Sequence, residues 1–320
     1  MKKFLIKTII FLSVVYACAW GLDYAICQGL LRMEDSRFQD YSQMLQGGMK
    51  NDVVILGSSR AKHHYNTAII DSVCNCSSFN LGAGGYPLNI ALLKYQLYCE
   101  HNDAPRLIVL NMDYATMKIL PDVCKQHESE QFFPLIYDKV MRKELRELGY
   151  GILELNFPLY RMFGYQEIIK KGLLEFLHVK HHVSSPSYKG YVPLEGEWDG
   201  TLLAKRTARD AEVTQESWEK LDDFLAQRKA EGVEVLMVNS PQYVGAINIV
   251  TNYSQIDSVF HNMAHRYQFQ YINYNMISEI NQDTANFTLA AHLNPIAADS
   301  FTVLLCDTIS SFLPKMAGTE

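Results

Sequence analysis

The sequence predicts an α/β fold built on a parallel sheet. The first observation is a set of short apolar runs bounded by turn residues. Val53–Leu56 lies between Asp52 and Gly57, Leu107–Leu110 precedes Asn111, and Val233–Val238 is interrupted only by Glu234. Runs of this length, rich in Val and Ile, read as strands buried on both faces. The second observation is that helical patterns separate them, and strands alternating with helices predict crossover units and a parallel sheet. The third is length: 320 residues bury a sizeable core without disulfides or metals.

The helices follow in order. Leu88–Tyr98 comes after Pro87 and is apolar on nearly all sides. Trp218, Leu221 and Leu225 keep helical spacing ahead of Gly232, a natural helix stop. Asn294 is placed to cap a last helix with Pro295 in its first turn, and Phe301, Leu304, Leu305, Thr308 and Phe312 share one of its faces. Residues from about 114 to 213 break the alternation. They hold predicted helices at Asp138–Leu148 and Tyr165–Leu177 and a Gly/Pro/Tyr-rich stretch, Ser184–Gly200. They read as an insertion or cap.

The N-terminus reads as a membrane address. Lys2, Lys3 and Lys7 precede an uncharged apolar run, Thr8–Leu22. Ala17-Cys18-Ala19 offers a signal-peptidase site. An uncleaved signal-anchor is the preferred reading, because Tyr24, Ala25, Ile26, Leu30 and Leu31 prolong the apolar character toward the roughly 20 residues a span requires. A lipoprotein at Cys18 is disfavoured by the bulky Tyr16 two residues before it. Lysines before the span, with Asp23, Glu34 and Asp35 after it, place the N-terminus inside. The expected organisation is a membrane helix over residues 1–31 and an α/β domain over 32–320. The protein would be single-pass in the inner (cytoplasmic) membrane, with its C-terminal domain extracytoplasmic or periplasmic.

Composition excludes several classes. Lys+Arg total 29 against Asp+Glu 35, a formal net charge of -6, so there is no basic footprint for nucleic acid. Five of the seven cysteines (Cys74, Cys76, Cys99, Cys124, Cys306) lie beyond the apolar run, after Cys18 and Cys27. There is no CxxC pair, so no zinc site is expected, and a disulfide cannot be assigned from sequence. His178 and His182 have helical spacing that suits a metal, but Lys180 between them would repel a cation, and a solvated face is preferred. No cofactor or metal is expected.

The chemistry is expected at strand ends. Gly57-Ser58-Ser59-Arg60 directly follows a strand, a turn that exposes a serine near a helix N-terminus. Asn80-Leu81-Gly82-Ala83-Gly84-Gly85 clusters glycines that free backbone amides for an oxyanion. Ala291-His292-Leu293-Asn294 puts a histidine just ahead of the last helix.

In this order, the stretch Gly57 to Tyr65, the Asn-x-Gly-x-x-Gly of Asn80–Gly85 and His292-Leu293-Asn294 resemble the SGNH/GDSL hydrolase superfamily. More closely, the chain resembles the membrane-anchored members that modify bacterial cell-surface polysaccharides. The resemblance spans roughly residues 50–115 and 215–313. It implies a three-layer, flavodoxin-like α/β/α sheet and an extracytoplasmic esterase or O-acyltransferase, with acetyl ester chemistry on a cell-surface or exopolysaccharide. Ser59 would be the nucleophile and His292 its general base. The amides of Ser59 and Gly85 would hold the oxyanion, with Asn111 or Asp113 at the third block and His64 and Asn294 near the substrate; Arg60 could also contact substrate, but on a helix after the turn a capping or pairing role is preferred for it. The aromatic side chains of Tyr188, Tyr191 and Trp198 could stack on sugar. A multi-span membrane acyltransferase would be the partner such systems pair with.

Two departures from the family pattern stand out. The family's acid lies three residues before the histidine, and that position is Leu289; Asp283 does not match the spacing. The oxyanion asparagine aligns with Asp113, and Asn111 reaches its place only with a shift of register. These departures define the alternative expectation: a catalytically silent relative that binds glycan or scaffolds polysaccharide assembly.

Overall fold

A computed structural model describes residues 1–119, 122–125, 128–179, 187–201, 203 and 206–313, except the side chain of Cys124. The order of elements is α1 (Lys2–Arg32), α2 (Ser36–Gln46), β1 (Val53–Leu56), α3 (Ser59–His64), α4 (Thr67–Cys74), β2 (Ser78–Asn80), α5 (Leu88–His101), β3 (Leu107–Asn111), α6 (Lys139–Glu147), α7 (Ile152–Asn156) and α8 (Gln166–Phe176). It continues with α9 (Gln215–Glu231), β4 (Glu234–Asn239), α10 (Val244–Asn248), α11 (Tyr253–Arg266), β5 (Gln270–Asn273), α12 (Tyr274–Ile277), β6 (Phe287–Leu289), β7 (His292–Leu293) and α13 (Pro295–Phe312). The chain is thus an α/β fold with a parallel five-strand sheet, a helical insertion and a long apolar N-terminal helix, as the sequence predicts.

Two units make up the chain. Met1–Gln46 and Leu120–Pro186 form a helical unit; Gly47–Ile119 and Ser187–Glu320 form the α/β unit. In the α/β unit the sheet order is β2-β1-β3-β4-β5, and every neighbouring pair is parallel. This is the doubly wound order in which the chain reverses direction across the sheet at β1 and β3. Ligands of such sheets bind beyond the carboxyl ends of the strands at that switch point. β1 leads into Gly57–Ser59 and β3 into Asp113, so the sequence-predicted motifs flank the switch point.

Alternation explains both sheet faces. Val53, Ile55, Leu107, Val109, Leu236 and Val238 join Tyr65, Ile70, Phe301 and Leu305 in one core, against α3, α4 and α13. The intervening residues, such as Val54, Ile108 and Val235, are equally buried on the face where α5 and α9 pack. Local signals set the helix ends. Thr214 Oγ1 accepts from the Ser217 amide at the start of α9, and Gly232 ends it in the left-handed conformation, φ 72°. Asn294 Oδ1 accepts from the Ala297 amide at the start of α13. Two strands that periodicity misses, β2 and β5, are the edges of the sheet, short and interspersed with Ser, Asn and Gln.

Residues 187–194 run along the α/β unit rather than standing apart from it: Asn80 N donates to Lys189 O (2.8 Å) and Val192 N to Lys62 O (3.1 Å). In the helical unit, α6 starts at Asp138, whose carboxylate caps the Met141 amide, and α8 covers the Tyr165–Leu177 prediction. α1 and α8 cross where both carry glycine. A Cβ on Gly29 would lie 1.7 Å from the Gly172 carbonyl oxygen, so no larger residue fits that crossing. Ile26, Cys27, Leu30 and Met33 of the N-terminal segment pack with Phe38, Phe133 and Met162. By length and composition α1 is the one helix among the described residues able to cross a membrane. Cys18, Cys27, Cys74, Cys76, Cys99 and Cys306 are free thiols.

Candidate active site

The site begins where β1 ends. Gly57 has φ 145°, and a Cβ there would lie 2.9 Å from that of Asn111 and 3.0 Å from that of Ala61. Only glycine makes this turn at this packing distance. Ser58 caps α3, its Oγ accepting from the Arg60 amide (3.2 Å), an arrangement worth about 0.5–2 kcal/mol. Ser59 is the first residue of α3. Its Oγ lies 2.7 Å from His292 Nε2, so a hydrogen bond joins residues 233 positions apart in the chain.

His292 is delivered by the β6–β7 hairpin, in which it pairs directly with Leu289. The loop is held from beneath by a residue whose role differs from its expected one. His64 was expected near substrate, yet it is 0% exposed. Its Nε2 accepts from the Leu293 amide (3.0 Å) and its Nδ1 faces Ser240 Oγ (3.0 Å). A backbone N–H can only donate, so His64 must be neutral with its proton on Nδ1. Burial, reinforced by Arg60, holds its pKa well below the usual histidine value. His64 is therefore a positioning residue for the His292 loop.

Arg60 is a buried anchor, the pairing role preferred for it over substrate contact. It is 1% exposed. Its Nη2 donates to Asn239 Oδ1 (3.0 Å) and to the Ser240 carbonyl, and Nη1 lies 3.8 Å from Asp113 Oδ1. Asn294 is spent on capping: Oδ1 takes the Ala297 amide and Nδ2 donates to Ala285 O (2.6 Å). Of the expected oxyanion side chains, Asn111 is buried with Oδ1 accepting from Tyr65 Oη (2.7 Å). Asp113 accepts from Ser58 Oγ (3.2 Å) and the Ala115 amide (3.0 Å) besides facing Arg60. Asp113 is thus an occupied acceptor, whereas the donor of Asn111, Nδ2, is buried with no hydrogen-bond partner among the described residues.

The glycine segment folds against the Gly57–Ser59 turn. Asn80 Nδ2 donates to Ala61 O (2.8 Å), its Oδ1 accepts from the Gly82 amide (2.8 Å), and Ala83 N donates to Gly57 O (2.9 Å). A Cβ at Gly82 would lie 2.3 Å from Lys62 N, which is why the approach requires glycine. Gly85 adopts φ 75° with open space at its Cβ position.

The proton inventory of His292 decides what the pair can do. For Nε2 to take the Ser59 proton, the neutral ring must carry its own proton on Nδ1. Nδ1 is buried and has no hydrogen-bond partner among the described residues. Asp283 instead caps the short turn Thr284–Asn286, accepting from the Ala285 amide (2.9 Å). Burial lowers the His292 pKa, Arg60 lowers it further, and Asp113 opposes the shift. His63, beside it, donates Nδ1–H to Val192 O (2.7 Å), and burial pushes its pKa down to about 4. His292 is thus in its basic form at neutral pH. The expected pH profile for any reaction that uses it as base is flat above neutrality. It falls only on acidification through a pKa below the free-histidine value of about 6.5. A rate profile on a neutral ester from pH 4 to 9 checks this; a midpoint above 7 would contradict it.

Sequence reasoning missed the floor of the site. Asn239, Ser240, Tyr253 and Asn275 form a buried polar network that seats Arg60: Asn275 Nδ2 donates to Asn239 Oδ1 (2.9 Å) and Asn239 Nδ2 to Tyr253 Oη (3.1 Å). The available signal was Asn239-Ser240 directly after the apolar run of β4. A cavity of about 270 Å³, lined by Tyr114, Lys118, Arg209, Gln242 and Ala291, reaches the residue preceding His292. Trp198 packs edge-on against Tyr243 (5.1 Å) and Phe287 (6.4 Å), and Tyr191 is buried, so of the three expected sugar-stacking aromatics only Tyr188 stands exposed. His178 is described, but Lys180, His181 and His182 lie outside the described residues. No cluster able to hold a metal occurs among the described residues.

Comparisons place the chain at a distance from known proteins. No family model matches it, and no curated protein does. Among solved structures, it is similar to a candidate acylhydrolase from Bacteroides fragilis at 12% identity and TM-score 0.38, over 86% of this chain and 98% of that one.

Proposed function

We propose that the α/β unit is an SGNH-type serine esterase or O-acyltransferase that handles acyl esters of a cell-surface polysaccharide outside the cytoplasm. The observation that carries this is the 2.7 Å contact between Ser59 Oγ and His292 Nε2, at the carboxyl ends of the strands flanking the switch point. Nucleophile and base within hydrogen-bond reach are what acyl transfer requires first.

The chemistry follows from the geometry. His292 Nε2 takes the Ser59 proton as Oγ attacks the ester carbonyl. The negative charge that develops on the carbonyl oxygen is met by backbone amides at the N-terminus of α3 and in the glycine segment, those of Ser59 and Gly85; each such donor is worth about 2.7–4 kcal/mol. Collapse expels the alcohol, which receives the proton from His292. Water then completes hydrolysis, or a sugar hydroxyl completes transfer, by the same proton route in reverse. The cavity beside Ala291, with Lys118 and Arg209 in its wall, receives the remainder of the substrate. A multi-span acyltransferase in the same membrane would supply the acyl group in the transfer direction.

One observation favours the second reading, a silent glycan-binding relative: the unpartnered Nδ1 of His292. Among the described residues no carboxylate accepts from Nδ1, and Asp113 favours the imidazolium formed during attack only through space. The test is a fluorophosphonate label and a p-nitrophenyl acetate assay on the full chain in detergent. A stoichiometric adduct on Ser59 is expected. Neither label nor turnover would leave the binding reading in possession of the site.

The same gap makes a gain-of-function prediction. Leu289 pairs with His292 across the hairpin and is 50% exposed. Directly opposed residues have Cβ atoms about 4.5–5.5 Å apart, on one face. Leu289→Asp is expected to give Nδ1–H an acceptor, raise kcat by about tenfold or more, and move the acid limb of the pH profile upward. The ceiling is the roughly 10⁴-fold worth of a correctly placed triad acid. A kcat unchanged, with the limb unmoved, would mean the carboxylate does not reach.

A further inference from the structure

The helical unit carries an apolar surface that the proposed chemistry leaves unused. α7 exposes Ile152 (72%) and Leu153; beyond it Phe157 and Tyr160 are exposed, and Phe163 is 88% exposed. Five large apolar side chains within one short segment form a contiguous patch of the kind that soluble surfaces avoid. Behind it lies a cavity of about 740 Å³ whose walls include Phe133, Leu159 and Tyr165.

This patch stands beside the apolar run of α1, and does not begin past its end. Tyr16 Oη donates to Asn156 O (2.7 Å), and the Tyr16 ring meets Phe157 edge-on at 6.4 Å. Trp20 and Tyr24 close on Tyr137 at 6.1 and 5.2 Å. Around this junction the apolar side chains of α1 from Phe4 to Tyr16 are exposed, with no protein covering them. At 1.5 Å rise per residue, Lys7 to Tyr16 is about 14 Å, whereas the hydrocarbon layer is about 30 Å thick. With Lys7 at one boundary, Tyr16 lies near the middle of that layer, and whatever is held against it faces acyl chains.

The buried charge pair next to this junction is satisfied within the protein, as a low-dielectric setting demands. Asp23 is fully buried, accepting from both Nη atoms of Arg161 (2.7 Å each), from Tyr137 Oη (2.7 Å) and from the Leu159 amide (2.7 Å). Arg161 Nε and Nη2 also cap Phe133 O at 3.1 and 2.9 Å. Paired charges turned inward, with apolar rings turned outward, are the pattern of a lipid-facing element.

We infer that residues 152–163 form a second membrane contact, embedded in the bilayer beside α1, with lipid acyl chains covering the patch and entering the cavity behind it. The inference rests on α1 being a membrane helix. Full-length protein in phosphatidylcholine–phosphatidylglycerol vesicles, doped with a phosphatidylcholine carrying a diazirine in mid-chain, would be irradiated and its adducts mapped by mass spectrometry. Adducts are expected on α1 and on peptides spanning 150–165. Adducts on α1 alone would overturn the inference and leave the membrane reading of α1 standing; adducts on neither would overturn both. Phe163→Asp is expected to cut the adduct yield on 150–165 several-fold, with the α1 yield and the melting temperature in detergent unchanged. An undiminished yield from that variant would also count against lipid contact.

Discussion

Ser59→Ala is expected to abolish fluorophosphonate labelling and to lower ester turnover by at least about 10²–10⁴-fold, the usual contribution of a positioned nucleophile–base pair. His292→Ala should fall to a similar level. The two changes together should cost little more than either alone, because residues that act as one unit are not additive. The expectation rests on the 2.7 Å Ser59–His292 contact and on the low pKa that keeps His292 basic. His64→Gln offers a contrast. It disturbs the loop that carries His292 without touching substrate, so it should reduce kcat and leave serine labelling slow but present. Turnover in Ser59→Ala above a tenth of wild type would place the reaction elsewhere.

The second large effect concerns stability. Arg161→Ala is expected to destabilise the helical unit by about 3–5 kcal/mol, because it strands a buried carboxylate. Both side chains of the Asp23–Arg161 pair are fully buried at 2.7 Å, so water cannot replace the lost partner. Asp23→Asn should cost less, since no carboxylate is left unpaired: the amide oxygen still accepts from the Leu159 amide, and the Tyr137 hydroxyl can turn to accept from the new Nδ2. The double variant Asp23→Leu with Arg161→Leu should recover part of the loss, but deprive the Leu159 amide and Tyr137 Oη of their acceptor and leave Phe133 O to Cys27 Sγ at 3.5 Å. Intrinsic-fluorescence melts of the four proteins in one detergent measure this. A melting temperature for Arg161→Ala within a degree of wild type would show that the pair contributes no stability.

Much of the fold was legible because its signals are local. β1, β3 and β4 are central strands, buried on both faces, and so appear as unbroken apolar runs. β2 and β5 are edges with fewer buried positions, and Ser78, Asn80, Gln270 and Asn273 hide them among turn-like residues. Ser59 and His292 were legible as a post-strand serine and a pre-helix histidine. Arg60 was legible only as a residue that caps or pairs, and His64 was placed near the substrate, because a polar side chain on a short helix after a turn usually faces water. Here Asn239, Ser240 and the Leu293 amide receive them instead, from strands and loops some 180 to 230 residues away.

By itself the sequence determined the alternation of strands and helices, the glycine at the turn before Ser59, the cap of the last helix and the apolar run at the N-terminus. Each depends on the conformational preferences or transfer energies of neighbouring residues. The tertiary structure alone decided that Ser59 meets His292, that Asp113 faces Arg60, that Nδ1 of His292 has no acceptor among the described residues, and that the lower part of α1 is protein core. Those facts depend on which distant groups share a low-dielectric interior. There a donor either finds its acceptor within about 3 Å or goes without, and no local pattern records which.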